Sequence, residues 1–177
     1  MILELGSPGA EQRELDYYIH NQAHLERWEP RRSPEFLTLT WWRHQLESNV
    51  REFHEDRGAR MVLWLKSDPT QSIVGVANLA NIVRGAFQAC HLGYSIDARH
   101  EGRGLMREGL EALIEYSFGE LGLHRVMANY QPDNLRSGAL LKRLGFVEEG
   151  YARDYLHING AWRDHVLTSL VRDEERR

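Results

Sequence analysis

One cysteine, Cys90, stands among 177 residues. A single thiol excludes an internal disulfide framework and a cysteine-rich zinc site, and a reducing cytoplasm is the expected home. Prolines number five and are scattered. With no Gly/Ser-rich stretch and no internal repeat, nothing divides the chain, and residues 1–177 are expected to form a single domain. No apolar run approaches the ~20 residues that a membrane span requires. The opening Met1-Ile2-Leu3-Glu4-Leu5-Gly6 has neither the basic nor the apolar region of a secretory signal. Excess positive charge is missing too. The 22 Lys and Arg face 26 Asp and Glu for a net charge of −4, which argues against direct nucleic-acid binding. Nine histidines offer no His-x-x-x-His spacing on a predicted helix, so no metal site is expected.

What is present suits a packed core: 42% hydrophobic residues, with five Trp and seven Tyr. Residues 2–5 read as a short strand. Helices are predicted over 11–21 and 39–57, the second carrying Trp42, Leu46, Val50 and Phe53 at helical spacing. Strands follow at 60–66, 72–83 and 87–96, the last with Cys90, Leu92, Tyr94 and Ile96 on one face. A helix opens after Gly102-Arg103-Gly104 and runs to about residue 120, with Leu105, Gly109, Ala112, Leu113 and Tyr116 as its apolar stripe. Then come a strand at 124–130, a helix at 135–144, and two strands joined by Asn159-Gly160, the strongest short hairpin signal. A strand–helix–strand unit at the centre implies a mixed sheet covered by helices.

The sharpest local signal runs from Tyr94-Ser95-Ile96-Asp97 through Gly102-Arg103-Gly104 to Leu105-Met106. A strand ends, two glycines turn the chain, and an amphipathic helix begins. Helix-start N–H groups are unpaired and partly positive, so they bind phosphate oxygens wherever glycine leaves the approach open. A ligand-free tight turn remains an alternative. A dinucleotide fingerprint would need glycine at 107, where Arg107 stands, and no Gly-Lys-Ser/Thr follows to make a Walker loop.

About 30 residues downstream lie Asn134-Leu135-Arg136-Ser137, followed by Leu144-Gly145-Phe146. The pair of segments resembles the GCN5-related N-acetyltransferase superfamily. The first is similar to its acetyl-coenzyme A pyrophosphate loop, Q/R-x-x-G-x-G/A, and the second to the Asn-x-x-Ser/Ala…Gly-Phe segment flanking the pantetheine arm. Asn21 to Pro30, Val83 to Phe87, Met127 to Tyr130 and Ile158 to His165 resemble the RimJ/RimL branch, whose members acetylate the N-terminal amine of ribosomal proteins. The similarity is strongest to members acting on an alanine N-terminus of a small-subunit protein. Two departures stand out. The loop begins at Glu101 in one register and at Arg99 in another. The tyrosine that many relatives place seven residues after the segment's Asn is here Leu141.

The resemblance implies an α+β fold, a mixed, mostly antiparallel six- or seven-stranded sheet with flanking helices. It implies acetyl-coenzyme A as co-substrate, a protein N-terminus as acceptor and direct attack of the amine on the thioester. Backbone groups near Tyr94, Ser95 and Ile96 are expected to meet the pantetheine and acetyl oxygen. Gly102, Arg103, Gly104, Leu105 and Met106 are expected to hold the pyrophosphate, Asn134 the pantetheine amides, and Ser137 the thiol, as partner or proton donor. Each has a plainer alternative; Asn134 could be a turn residue and Ser137 a helix cap. For the base, a two-residue hairpin turn would set Asp154 opposite His165, as a catalytic pair or a structural one. Trp28, Arg84 and Tyr130 are candidates for the peptide pocket. A small polyamine or aminoglycoside acceptor, lysine side chains, and a non-enzymatic binding module are the rival readings; a monomer and a homodimer are equally open.

Overall fold

Among the described residues, 1–173 of a computed structural model, the chain forms seven strands and four α-helices. In order these are β1 (Ile2–Leu5), α1 (Glu11–Leu25), α2 (Leu39–His54), β2 (Ala59–Trp64), β3 (Ile73–Val83), β4 (Ala89–Ile96), α3 (Leu105–Phe118), β5 (Arg125–Tyr130), α4 (Leu135–Arg143), β6 (Val147–Ile158) and β7 (Ala161–Val171). The strands make one sheet in the order β1-β2-β3-β4-β5-β7-β6, antiparallel at every junction except β4–β5. The expected α+β architecture is present, with seven strands.

Local chemistry sets the helix ends. Thr38 caps α2 by accepting from the Trp41 N–H at 3.2 Å, and Asn134 caps α4 by accepting from the Ser137 N–H at 3.1 Å. Helix α1 runs four residues past the expected end because Leu25 still finds the core, 5% exposed. Helix α2 stops at His54, earlier than expected, where the chain turns through Asp56 at φ 57°. The apolar stripe of α3 is rotated from the expected one: Met106, Gly109, Leu110, Leu113 and Ser117 are buried, while Ala112 is exposed.

Each face of the sheet carries two helices. On one, α3 and α4 press Leu110, Leu113 and Leu141 onto Leu63, Ala77, Cys90, Leu92, Val126 and Ala128. On the other, α1 and α2 bring Tyr17, Tyr18 and Trp42 onto Val62, Ile73 and Val76. Of the Trp41–Trp42 pair only Trp42 turns fully inward, at 1% exposure; Trp41 packs edge-on against it. Cys90 is a buried core thiol, and burial pushes it up to about 12, so it stays protonated and unreactive.

The second core encloses a charge. Glu14 of α1 is fully buried and accepts from the Arg60 guanidinium of β2 at 2.8 Å. Arg60 also donates to the Tyr18 hydroxyl at 3.3 Å and lies over the Trp42 ring. Burial works against its charge, but Tyr18 and Glu14 outweigh that and keep it protonated. The pair ties α1 to the sheet. Replacing Arg60 by Met strands the Glu14 carboxylate, and urea unfolding should show a loss of about 3–5 kcal/mol. A loss below ~1 kcal/mol would mean that the pair behaves as a solvated surface bridge.

Candidate active site

The parallel pair β4–β5 holds for only three residues: Ala89 opposite Arg125, Cys90 opposite Val126, and His91 opposite Met127. Beyond them β4 continues to Ile96 along β3, and β5 continues to Tyr130 along β7, with no pairing between the two. The strands part. In an antiparallel strand, alternate residues turn their N–H and C=O to opposite sides, so the outer stretch of β4 aims every second peptide group into the gap. The expected splay is therefore present, at the height of Tyr94, Ser95 and Ile96.

Strand alternation gives the gap two different walls. Tyr94 lies on the α4 side and shares a 2.7 Å hydrogen bond with the Ser137 hydroxyl. Burial pushes the Tyr94 phenol up to about 12, so it is protonated at neutral pH. Tyr130 lies on that side as well. A Cβ at Gly138 would stand 2.7 Å from its ring, so glycine there lets α4 lie flat against Tyr130. Ser95 faces the α1 side, where its hydroxyl meets the buried Tyr17 hydroxyl at 2.9 Å. Leu141, at the position where a tyrosine is expected from the resemblance, is buried core at 1% exposure. Tyr94 brings a phenol to Ser137 from the sheet instead. Sequence reasoning missed that pairing, although Tyr94 shares the face of Cys90 and Leu92, which α4 also covers.

The glycine loop closes one end. Gly102 and Gly104 adopt φ of 73° and 78°, and nothing lies within 4 Å of where a Cβ would stand on either. Gly104 is the N-cap of α3 and makes no side-chain cap, so the first N–H groups of the helix remain open. Met106 points its side chain into the core and Leu105 is half-buried, so only their backbone can face a ligand; Arg103 is exposed. Neighbouring elements clamp the loop. Asn21 of α1 accepts from the Ala98 N–H at 3.1 Å, and Glu101 pairs with His24 of α1 at 3.6 Å and with Arg136 of α4.

Asp97 starts the loop, with only 1% of its surface exposed. Burial alone would raise its pKa, but hydrogen bonds from the side chain and backbone of Arg99, and from Asn21, hold the carboxyl well below the usual range. Arg99 is thereby turned back onto Asp97, at 2.6 Å.

Two residues lie elsewhere than expected. Arg84 sits in the turn after β3, where it pairs with Asp56 and donates to the Leu121 carbonyl at 2.6 Å. The β3–β4 hairpin places this turn at the end of the sheet away from the gap: Val83 pairs with Ala89, whereas Tyr94 and Ile96 pair with Ala77 and Gly75, roughly 20–27 Å along the strand, so Arg84 does not line the pocket. The Asp154–His165 pairing is also corrected. The Asn159-Gly160 turn does pair Ile158 with Ala161, but β6 bulges between Ala152 and Leu156, and His165 falls opposite Ala152. Asp154 is exposed on the bulge at φ 47°, its N–H donating to Asp164 at 2.9 Å. Trp28 is half-buried under Arg27, and the Arg27 carbonyl accepts from Gln131 at 3.5 Å, so Trp28 and Tyr130 share the open end of β5. A cleft of about 460 Å³ lies beside them, lined by Arg27, Gln131, Tyr151, Trp162 and Asp164. Among the described residues, no group of three or more His, Cys, Asp and Glu could hold a metal ion.

The depressed Asp97 carboxyl has a stability consequence. Its contribution is complete above the unfolded-state value of about 3.9 and is lost as the pH falls below it. Asp97→Asn should therefore be less stable than wild type at neutral pH and should show a shallower loss of stability between about pH 4 and pH 2. Parallel acid-unfolding curves would contradict the assignment.

The arrangement is a cleft with a backbone anion site at one end, a protonated phenol–hydroxyl pair on one wall and open peptide groups along its length. Residues 7–147 match the family model described as acetyltransferase (GNAT) domain. The chain is 49% identical over 159 residues to the ribosomal protein uS5-alanine N-acetyltransferase of Escherichia coli strain K12, covering 90% of this chain and 81% of that one. The structure of a ribosomal-protein-S5-alanine acetyltransferase from Vibrio fischeri matches with a TM-score of 0.93 at 37% identity, over 99% of this chain and 94% of that one. Mycobacterium smegmatis RimJ, in complex with CoA-disulfide, matches with a TM-score of 0.90 at 28% identity, over 99% and 83% of the two chains. This chain belongs to the GNAT acetyltransferase family.

Proposed function

We propose that the protein transfers the acetyl group of acetyl-coenzyme A to the N-terminal α-amine of a protein, most specifically an alanine-starting ribosomal protein of the small subunit. The observation that carries the reading is the gap between β4 and β5, with open peptide groups at Tyr94–Ile96 and the Tyr94–Ser137 pair on one wall. The acceptor is supported by the relatives, whose names state acetylation of a ribosomal protein S5 alanine, and by 49% identity across most of the chain.

The chemistry follows from the residues. The first N–H groups of α3, freed by Gly102 and Gly104, receive the pyrophosphate. The pantetheine lies between the parted strands. Asn134 spends its carbonyl on capping α4 and keeps its amide N–H groups for a pantetheine carbonyl. An N–H of outer β4 stabilises the oxyanion that forms as the amine attacks. The C–N bond forms, the C–S bond breaks, and the leaving thiolate takes a proton from Ser137, backed by the Tyr94 phenol. The hairpin side holds two candidates for accepting the amine's proton, Asp154 and His165, of which one is needed. Trp28 and Tyr130 bound the acceptor end.

Mass spectrometry of an acceptor panel tests the reading. Peptides starting with Ala, Ser and Met, an N-blocked peptide with an internal Lys, spermidine and an aminoglycoside are each incubated with acetyl-coenzyme A. Acetylation of the Ala α-amine in preference to all others is expected. Modification of only the polyamines would overturn the acceptor while leaving the coenzyme role intact.

The loop is tested separately by calorimetry. Gly104→Val should weaken acetyl-coenzyme A binding at least about tenfold, because a branched side chain enters the anion's approach and resists the left-handed backbone. Unchanged affinity would move the pyrophosphate elsewhere.

A further inference from the structure

We infer that His165 Nε2 is the group that takes the proton from the acceptor's α-ammonium; this rests on the acetyl-transfer reading above and adds to it the identity of the base. The β6 bulge that separates His165 from Asp154 also builds the surroundings of the imidazole. Two extra residues in β6 fold Tyr155 back across the sheet, until its ring lies 5.5 Å from that of His165 and its hydroxyl accepts from the Asn129 amide at 3.2 Å. Asn129 is itself fixed, because its carbonyl accepts from the Thr168 N–H at 3.3 Å.

These residues all lie on the wall opposite the thiol. Val166 pairs with Tyr130 and so shares the α4 side; its neighbour His165 and Tyr130's neighbour Asn129 therefore face the α1 side. That side suits an incoming amine, since Ser137, the partner of the leaving sulfur, stands across the sheet from it.

The hydrogen bonding of the ring settles which nitrogen is available. His165 Nδ1 lies 3.0 Å from the Arg163 carbonyl oxygen. A carbonyl oxygen can only accept, so Nδ1 carries the hydrogen and the neutral ring keeps its lone pair on Nε2. Among the described residues nothing hydrogen-bonds to Nε2. His165 is 4% exposed, its ring held in place with its basic nitrogen unspent. Asp154 is exposed, and its backbone, not its carboxylate, is what the structure holds.

The step balances. The α-ammonium gives one proton to Nε2, leaving a neutral amine whose lone pair attacks the thioester carbonyl carbon. The tetrahedral intermediate collapses with cleavage of the C–S bond, and the second nitrogen proton is balanced by the proton that reaches sulfur. The imidazolium returns its proton to water, so an amide, a thiol and one released proton remain. Other titratable groups bear on this ring. Tyr155 packs against it from β6, and Asp164 precedes it, its carboxyl held below the usual range by the Tyr151 hydroxyl, then by the Asp154 N–H, and less by the charge of Arg153. His91 of β4 and Tyr17 of α1 lie on the same side of the sheet.

The experiment compares wild type with His165→Asn, Asp154→Asn and His91→Asn on the Ala-starting peptide, over a range of pH. Asparagine at 165 retains an N–H near the Nδ1 position and lacks the base. The expected result is a fall in kcat of about 10²-fold or more in His165→Asn, little change in KM, and loss of the acid limb of the kcat profile. Acetyl-coenzyme A affinity by calorimetry should be retained, which separates this loss from misfolding. Retention of rate and acid limb in His165→Asn, or loss of the limb in Asp154→Asn or His91→Asn instead, overturns the inference alone. A wild-type enzyme that leaves the peptide untouched sinks the acetyl-transfer reading, and the inference with it. Nitrogen NMR of the wild-type histidines gives an independent check. In the neutral form of the His165 ring the hydrogen is expected on Nδ1, and a neutral form with its hydrogen on Nε2 would overturn the assignment even if the variant proved unstable.

Discussion

The rest of the structure depends on a failure of pairing. β4 and β5 bond for three residues and then part, although both continue. Backbone N–H and C=O groups left inside a protein without partners are costly, so a sheet does not open at its centre unless something else takes up the exposed groups. Here the neighbours β3 and β7 keep the outer edges of both strands paired, and the cost is confined to the inner edges. A thioester with its amide-bearing arm is a suitable filler, because it offers donors and acceptors along its length. The opening also separates the chemistry. Tyr94, Tyr130 and Ser137 stand on one side of the sheet, and Ser95, Asn129 and His165 on the other.

Helix α1 does more for this gap than its position in the chain suggests. Its second, third and fourth turns supply Tyr17 to Ser95, Asn21 to the loop backbone, and His24 to Glu101. Its first turn is anchored at a distance by the buried Glu14–Arg60 pair. A charge in the second core thus fixes the helix that orders the loop.

Much of this was legible in the residues. The strand–loop–helix around Gly102 and Gly104, the helix start at residue 135 and the Asn159-Gly160 turn are local features and stand where expected, although the cap of that helix is Asn134 and not Ser137. What failed was non-local. Arg84 carries no mark that its turn lies at the far end of the sheet; only the hairpin register reveals it. Asp154 and His165 are matched by counting from the turn, and the count fails because two residues of β6 bulge outward without an interrupting Gly or Pro. The α3 stripe is rotated because Met106 and Leu110 face the core in place of Leu105 and Ala112, and because Ser117, a polar residue whose hydroxyl donates to the Leu113 carbonyl, is buried in place of Tyr116. The Tyr94–Ser137 contact spans 43 residues and forms only when α4 folds over the sheet.

The bulge in β6 has a meaning for the molecule among other molecules. β6 is the outermost strand on its side and, at twelve residues, the longest in the sheet. A long straight rim of free peptide groups is a template on which another chain can add a strand. Asp154, in the left-handed region, and the residues beside it break that rim in the middle, and the opposite rim, β1, is only four residues long. The irregularity that shapes the amine-facing wall thus also leaves the sheet without an edge long and regular enough to be copied, a safeguard against aggregation in a protein whose centre is held open.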